Sequence, residues 1–114
     1  MIKDYIEKER DYIREKRRYF HMHPETSLHE FNTARVIEEE LSSFGIPHER
    51  VGETGIYAVI DGKKAAEKDE KKRIIALRAD IDALPMDDLK TCEYHSQNKG
   101  VCHACGHDGH TATL

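Results

Sequence analysis

The sequence predicts an α/β fold in which two helices precede strands and a third helix opens near the end. Three observations carry this. Apolar residues recur at helical spacing from Ile2 to Phe44. Runs rich in β-branched residues, "IYAVI" and "RIIALRA", follow Pro47. Gly and Pro punctuate the joints between these stretches. At 114 residues the chain can build one domain with a modest core, and hardly two.

The first helix places Ile2, Tyr5, Ile6, Tyr12, Ile13, Tyr19 and Phe20 on one stripe. Asp4 with Glu7 offers a capping box at its start, and Pro24 bars helical geometry in the residue before it. In the second helix Phe31, Ala34, Ile37, Leu41 and Phe44 share a face. Ser27 with Glu30 repeats the capping pattern, and Gly45 supplies a left-handed stop. Glu38, Glu39 and Glu40 fall on the solvent side of this amphipathic pattern.

Ile56–Ile60 and Arg73–Ala79 read as strands, the second nearly all apolar and so suited to the interior of a sheet. The charged stretch between them, "DGKKAAEKDEKK", reads as a solvated hairpin connection. Residues from Asp82 to Gly100 break every period. "GHTATL" then reads as a helix opening.

Composition excludes several classes. Net charge is −4 with both signs interspersed, so no nucleic-acid partner is advertised. No apolar run approaches the ~20 residues of a membrane span, and the N-terminus lacks the apolar core of a signal peptide. A cytoplasmic protein with reduced thiols follows as the expectation. Three cysteines, two of them within four positions, suit metal binding better than a disulfide framework.

The chemistry concentrates in "VCHACGHDGHT", Val101–Thr111. Cys105 and His107 stand one residue apart, so an extended or turning backbone can aim both the same way. Thiolate and imidazole suit zinc and related metals. Cys102, His103, Cys105, His107 and His110 also offer enough donors for a structural zinc. That alternative would make the chain a non-catalytic interaction module. "LRADIDALP" adds Asp80 and Asp82 just past a buried strand, where open α/β sheets build their sites. A carboxylate beside a ligating histidine fixes its tautomer.

Together "HMHPETSLHEFNTA", "TGIYAVIDG", "IALRADIDALP" and "NKGVCHACGHDGHTATL" resemble the N-acyl-amino-acid amidohydrolases. These form the hippurate hydrolase and auxin-conjugate hydrolase branch of the dinuclear-metal aminoacylase and carboxypeptidase superfamily. The resemblance implies the N-terminal part of an α/β/α layered, zinc-peptidase-like catalytic domain over residues 1–114, with the lid or dimerisation domain absent. It implies two divalent ions, manganese or zinc, with Cys105 and His107 as ligands and Asp82 supporting the site from behind. Asp80 stands where related carboxypeptidases carry a histidine ligand, which leaves its role open. Asp108 and His110 line the site without ligating, and His21 and His23 are scaffold. The implied reaction is metal-assisted hydrolysis of a small N-acyl amino acid to a carboxylic acid and an amino acid.

Family members run longer, and their general-base glutamate and remaining ligands lie beyond the position matching Leu114. The expectation is therefore a fragment with little or no activity of its own, whose uncovered strand edges favour homo-oligomers. Cys102, where the family more often has an apolar residue, is read as a small buried hydrophobe.

Overall fold

Twenty-one residues of good helix formers and paired charges carry the chain from Ile2 to Met22 as α1. In a computed structural model that describes residues 1–62 and 73–114, this helix is followed by α2 (Phe31–Ser43), strands β1 (His48–Val51) and β2 (Gly55–Ala58), and α3 (His107–Thr113). The helix α1 stops before Pro24, as the proline requires. Its start differs from expectation. Met1 is the N-cap residue, and Asp4 serves from inside the first turn by accepting a hydrogen bond from the terminal ammonium at 2.8 Å. Only the C-terminal half of α1 is covered. Phe20 and His21 are buried, whereas Ile2, Tyr5 and Ile6 are exposed.

Glu25, not Ser27 with Glu30, caps α2. No side chain at the N-cap residue Glu30 caps the helix. Instead the Glu25 carboxylate accepts from the Asn32 N–H at 3.1 Å, the Thr33 N–H at 2.5 Å and the Thr33 hydroxyl at 2.6 Å. A carboxylate reaching in from the preceding turn meets both the orphan donors and the positive helix end. Gly45 closes the helix with φ +68°, as its sequence position predicts. Two of the three glutamates read as solvent-facing are engaged instead. Glu40 accepts from the Tyr12 hydroxyl at 2.6 Å and pairs with Lys16, tying α2 to α1, and Glu38 pairs with Arg50 of β1. Glu39 is exposed and meets only Arg35 one turn away.

The strand expected over Ile56–Ile60 is β2, but its partner is the unforeseen β1, in register His48 to Ala58 and Val51 to Gly55. The turn between them explains the pairing. Gly52 adopts φ +63°, and a Cβ on Gly55 would meet the Val51 carbonyl oxygen at 2.7 Å. Only glycine fits there. The expected interior strand Arg73–Ala79 is not formed: Ile74 is 92% and Ile75 85% exposed. An interior strand is made by neighbours on both edges and layers on both faces, and no described segment supplies them. The proposed hairpin connection falls on residues 63–72, outside the described residues, apart from Asp61 and Gly62.

Beyond Asp80 the chain is held by cross-links rather than regular ladders. Ala83 donates to the Glu25 carbonyl at 2.8 Å, and Leu84 exchanges both backbone hydrogen bonds with Cys102 at 2.9 and 3.0 Å. Residues 80–84 are thereby strung between the end of α1 and the approach to α3. Among the described residues no helix is long and apolar enough to cross a membrane.

Glu25→Ala is expected to lower the unfolding free energy by about 1–3 kcal/mol, the cost of orphaning charge-assisted donors. Urea denaturation followed by helical ellipticity measures this, and Glu25→Gln, which keeps one acceptor oxygen, should recover part of it.

Candidate metal centre

A buried histidine positions the donor-rich segment. His21, on the last turn of α1, is 1% exposed. Its Nδ1 lies 2.7 Å from Asp108 Oδ2 in the first turn of α3, and Arg17 Nε donates to the same carboxylate at 2.9 Å. At Nε2 stand Asp88 Oδ2 at 3.3 Å and the Lys90 ammonium at 3.2 Å. An ammonium can only donate, so Nε2 bears the lone pair and Nδ1 the proton given to Asp108. The Arg17 contact to Nδ1 is long, 3.4 Å, and does not compete with that bond. Thus His21 ties α1 to α3. The His23 ring donates to the Tyr19 carbonyl at 2.7 Å and stacks on the Tyr19 ring, a contact within and just past its own helix.

Asp108 faces inward, while His107 beside it is partly exposed and meets the 80–84 segment. His107 Nδ1 lies 2.9 Å from Asp82 Oδ1 and 3.1 Å from the Asp82 carbonyl oxygen. With Nδ1 donating there, Nε2 is left with its lone pair, 3.7 Å from Asp80 Oδ2. The Thr111 hydroxyl donates to the Asp80 carbonyl at 3.0 Å, fixing the segment against α3. Asp80, His107 and His110 bring ligand atoms within 4.8 Å of one another.

Among the described residues a second group meets the same criterion: His21, Asp88 and Cys102. Cys105 is exposed and belongs to neither group. Gly106, with φ +95°, opens α3 between Cys105 and His107, so the alternation of an extended backbone does not govern the two side chains. Nor do the donors of the alternative structural-zinc set gather in one place. Cys102 falls with His21, whereas His107 and His110 fall with Asp80. Cys102 is fixed instead by its bridge to Leu84.

His103 is 3% exposed, and neither ring nitrogen has a hydrogen-bond partner. Burial lowers its pKa, so it is carried as the neutral imidazole. Burial likewise raises the Cys102 thiol, in keeping with the small buried residue the sequence implies. Sequence reading missed Asp88 and Lys90. Both lie in an aperiodic stretch, and only the fold brings them to His21.

One carboxylate and two imidazoles, with a further carboxylate orienting one ring, fit a borderline divalent ion such as zinc or manganese. The class defined is an α/β protein with a candidate histidine- and carboxylate-based metal centre. Residues 76–114 match the model of Peptidase family M20/M25/M40. Over 93% of this chain, an uncharacterized hydrolase of Staphylococcus saprophyticus is 44% identical, and one of Staphylococcus haemolyticus is also 44% identical. In each case the chain spans 26% of the relative's length. Among solved structures, the Bacillus subtilis YXEP protein, a dinuclear metal binding peptidase from the M20 family, is 38% identical with a TM-score of 0.79. It covers 90% of this chain and 28% of its own. A methicillin-resistant Staphylococcus aureus structure is 42% identical with a TM-score of 0.84, over 96% of this chain and 28% of that one. Residues 76–114 are thus similar in sequence to the M20/M25/M40 peptidases, and the chain is similar in fold to about a quarter of each of the two solved structures.

Asp108→Asn should cost about 3–5 kcal/mol, the usual loss when one partner of a buried pair is removed. The lower end is expected because Arg17 is 35% exposed and can turn to water; thermal unfolding measures it. A second outcome concerns acid. The Ser96 N–H, then Lys90, hold the Asp88 carboxyl well below the usual carboxylate range. A lowered carboxyl pKa stabilises the fold above its unfolded-state value, about 3.9, and the contribution is lost as pH falls below that. Stability should therefore drop on acidification below about pH 4, and Asp88→Asn should flatten that limb of the pH profile.

Proposed function

We propose that the chain is the ligand-bearing part of a hydrolase that cleaves the amide bond of N-acyl amino acids, releasing a carboxylic acid and an amino acid. One observation carries the site: His107 is held through Nδ1 by Asp82, leaving Nε2 free toward Asp80. The motif-bearing segments add the substrate class by resemblance. Uncharacterized hydrolases are similar to the chain over most of its length, residues 76–114 match the M20/M25/M40 peptidase model, and one structural neighbour is a dinuclear metal binding peptidase.

In this reading His107 and Cys105 hold divalent metal, manganese or zinc, two ions in the whole enzyme. Asp80 and His110 stand beside His107, whereas Cys105, exposed and outside that group, is assigned by the resemblance alone. Bound there, such an ion supplies Lewis acidity to a carbonyl and lowers the pKa of water. The chain's own residues set the stage. Asp82 keeps the Nδ1 proton of His107 in place and so presents the Nε2 lone pair. Asp80, paired with Arg78, puts negative charge beside that lone pair. Residues 1–114 belong in this reading to the catalytic domain, and a lid or dimerisation domain is a separate part of the enzyme. The partner is a small molecule rather than nucleic acid or membrane, since net charge is only −4 with mixed signs. The compartment is the cytoplasm, where Cys105 stays reduced, and self-association through exposed apolar runs such as Ile74–Leu77 is part of the proposal.

The test is a chimera in which residues 1–114 replace the matched segment of the Bacillus subtilis M20 peptidase. Hydrolysis of N-benzoylglycine and related N-acyl amino acids is expected, abolished by chelator and restored by Mn²⁺ or Zn²⁺. His107→Ala should remove it, and Asp82→Asn should weaken metal affinity or activity ~10–100-fold. A folded chimera that cleaves peptides but no N-acyl amino acid would refute the substrate class and leave the family intact. Among the described residues no glutamate joins either donor group, so the 114-residue chain alone should run at least ~10²-fold slower than the chimera, the usual minimum contribution of a general base.

A further inference from the structure

We propose that His21, Asp88 and Cys102 form a second metal site, selective for a borderline divalent cation such as Zn²⁺, in which the Lys90 ammonium is a resident competitor. This is independent of the substrate reading above and of the His107 group.

The donor set is mixed: imidazole nitrogen, carboxylate oxygen and thiol sulfur, all within 4.8 Å of one another. Donors around a tetrahedral zinc lie roughly 3.3–3.8 Å apart, from bond lengths of about 2.0–2.3 Å. His21 Nε2 and Asp88 Oδ2 already stand at 3.3 Å. Two electron-rich atoms so close need a cation between or beside them. Lys90 supplies it, 3.2 Å from Nε2 and 3.1 Å from Asp88 Oδ1.

The contacts that would hold these donors are already in place. Asp108 takes the Nδ1 proton of His21 at 2.7 Å and is itself anchored by Arg17. That is the carboxylate–histidine arrangement that aims a ring nitrogen at a metal. A backbone N–H from Ser96 holds Asp88 at 2.8 Å, and the bridge to Leu84 holds Cys102. A shallow cleft of about 350 Å³, lined by Asp88, Lys90, Cys102 and Ala104, opens onto the set and leaves room for a fourth ligand. The charges balance. Binding releases the Cys102 proton to solvent and turns Lys90 outward, so the dication meets one thiolate and one carboxylate. Lys90 is 47% exposed at its side chain and can make that move.

The experiment uses Co²⁺ on the full chain carrying Cys92→Ser and Cys105→Ala, which leaves Cys102 as its one thiol. A thiolate-to-cobalt charge-transfer band that saturates at one Co²⁺ per Cys102 thiol is expected, whatever Co²⁺ the His107 group takes up without such a band. Cys102→Ser in that background should abolish the band, with far-UV circular dichroism confirming the fold. Lys90→Met should tighten Co²⁺ binding at least tenfold, a direction that damage to the fold would not produce. Absence of the band in the folded single-thiol variant would overturn the site. Unchanged or weaker binding in Lys90→Met would overturn the role given to the ammonium.

Discussion

The contact on which the rest depends joins residues 87 positions apart: the His21 imidazole and the Asp108 carboxylate, both 1% exposed. A helix of seven residues has no stability of its own in water. Its place must come from tertiary contact, and α3 gets it from this pair, from Arg17, and from the burial of Ala112. Because Asp108 follows His107 directly, docking the one sets where the other emerges. The candidate centre is thus positioned from behind, by a group that takes no part in it.

From the other side, the 80–84 segment is located by neighbours rather than by its own conformation. It borrows one bond from Glu25 and two from Cys102. Glu25 uses its side chain to cap α2 and its carbonyl to hold Ala83, so one residue ties the second helix to the segment carrying Asp80 and Asp82. In this region irregular backbone is satisfied by side chains and isolated bridges, which is how a site can be rigid without a sheet beneath it.

What could be read from the sequence was what depends on local physics. Pro24 and Gly45 stop helices whatever surrounds them, and both predictions held. The apolar periodicity of α1 and α2 likewise located the helices. What could not be read was what needs a partner. Arg73–Ala79 has the composition of an interior strand, yet composition specifies burial and not the neighbour that provides it. β1 escaped notice because His48, Glu49 and Arg50 lack β-branching, although "VGETG" carried a turn signal that would have found it. In the site, Asp82 meets His107, although the strand whose end was expected to carry it is not formed. His110 joined the donor group although it was read as lining, and Asp88 with Lys90 gave no signal in one dimension.

Both donor groups share a feature that sets their relative affinities. Each pairs its carboxylate with a basic side chain two residues away, Asp80 with Arg78 and Asp88 with Lys90. An incoming metal must therefore compete with a tethered cation. Arg78 is 82% exposed, and such a surface pair contributes about 0–1 kcal/mol, so Asp80 is nearly free to change partners. Lys90 bridges two acceptors at the mouth of a buried cluster, where charge interactions are screened less. Its displacement also requires a thiol, held protonated by burial, to lose its proton. In the proposed reading the outer group would therefore exchange Arg78 for metal at little cost. The proposed inner group would give up Lys90 only to an ion with a strong preference for sulfur.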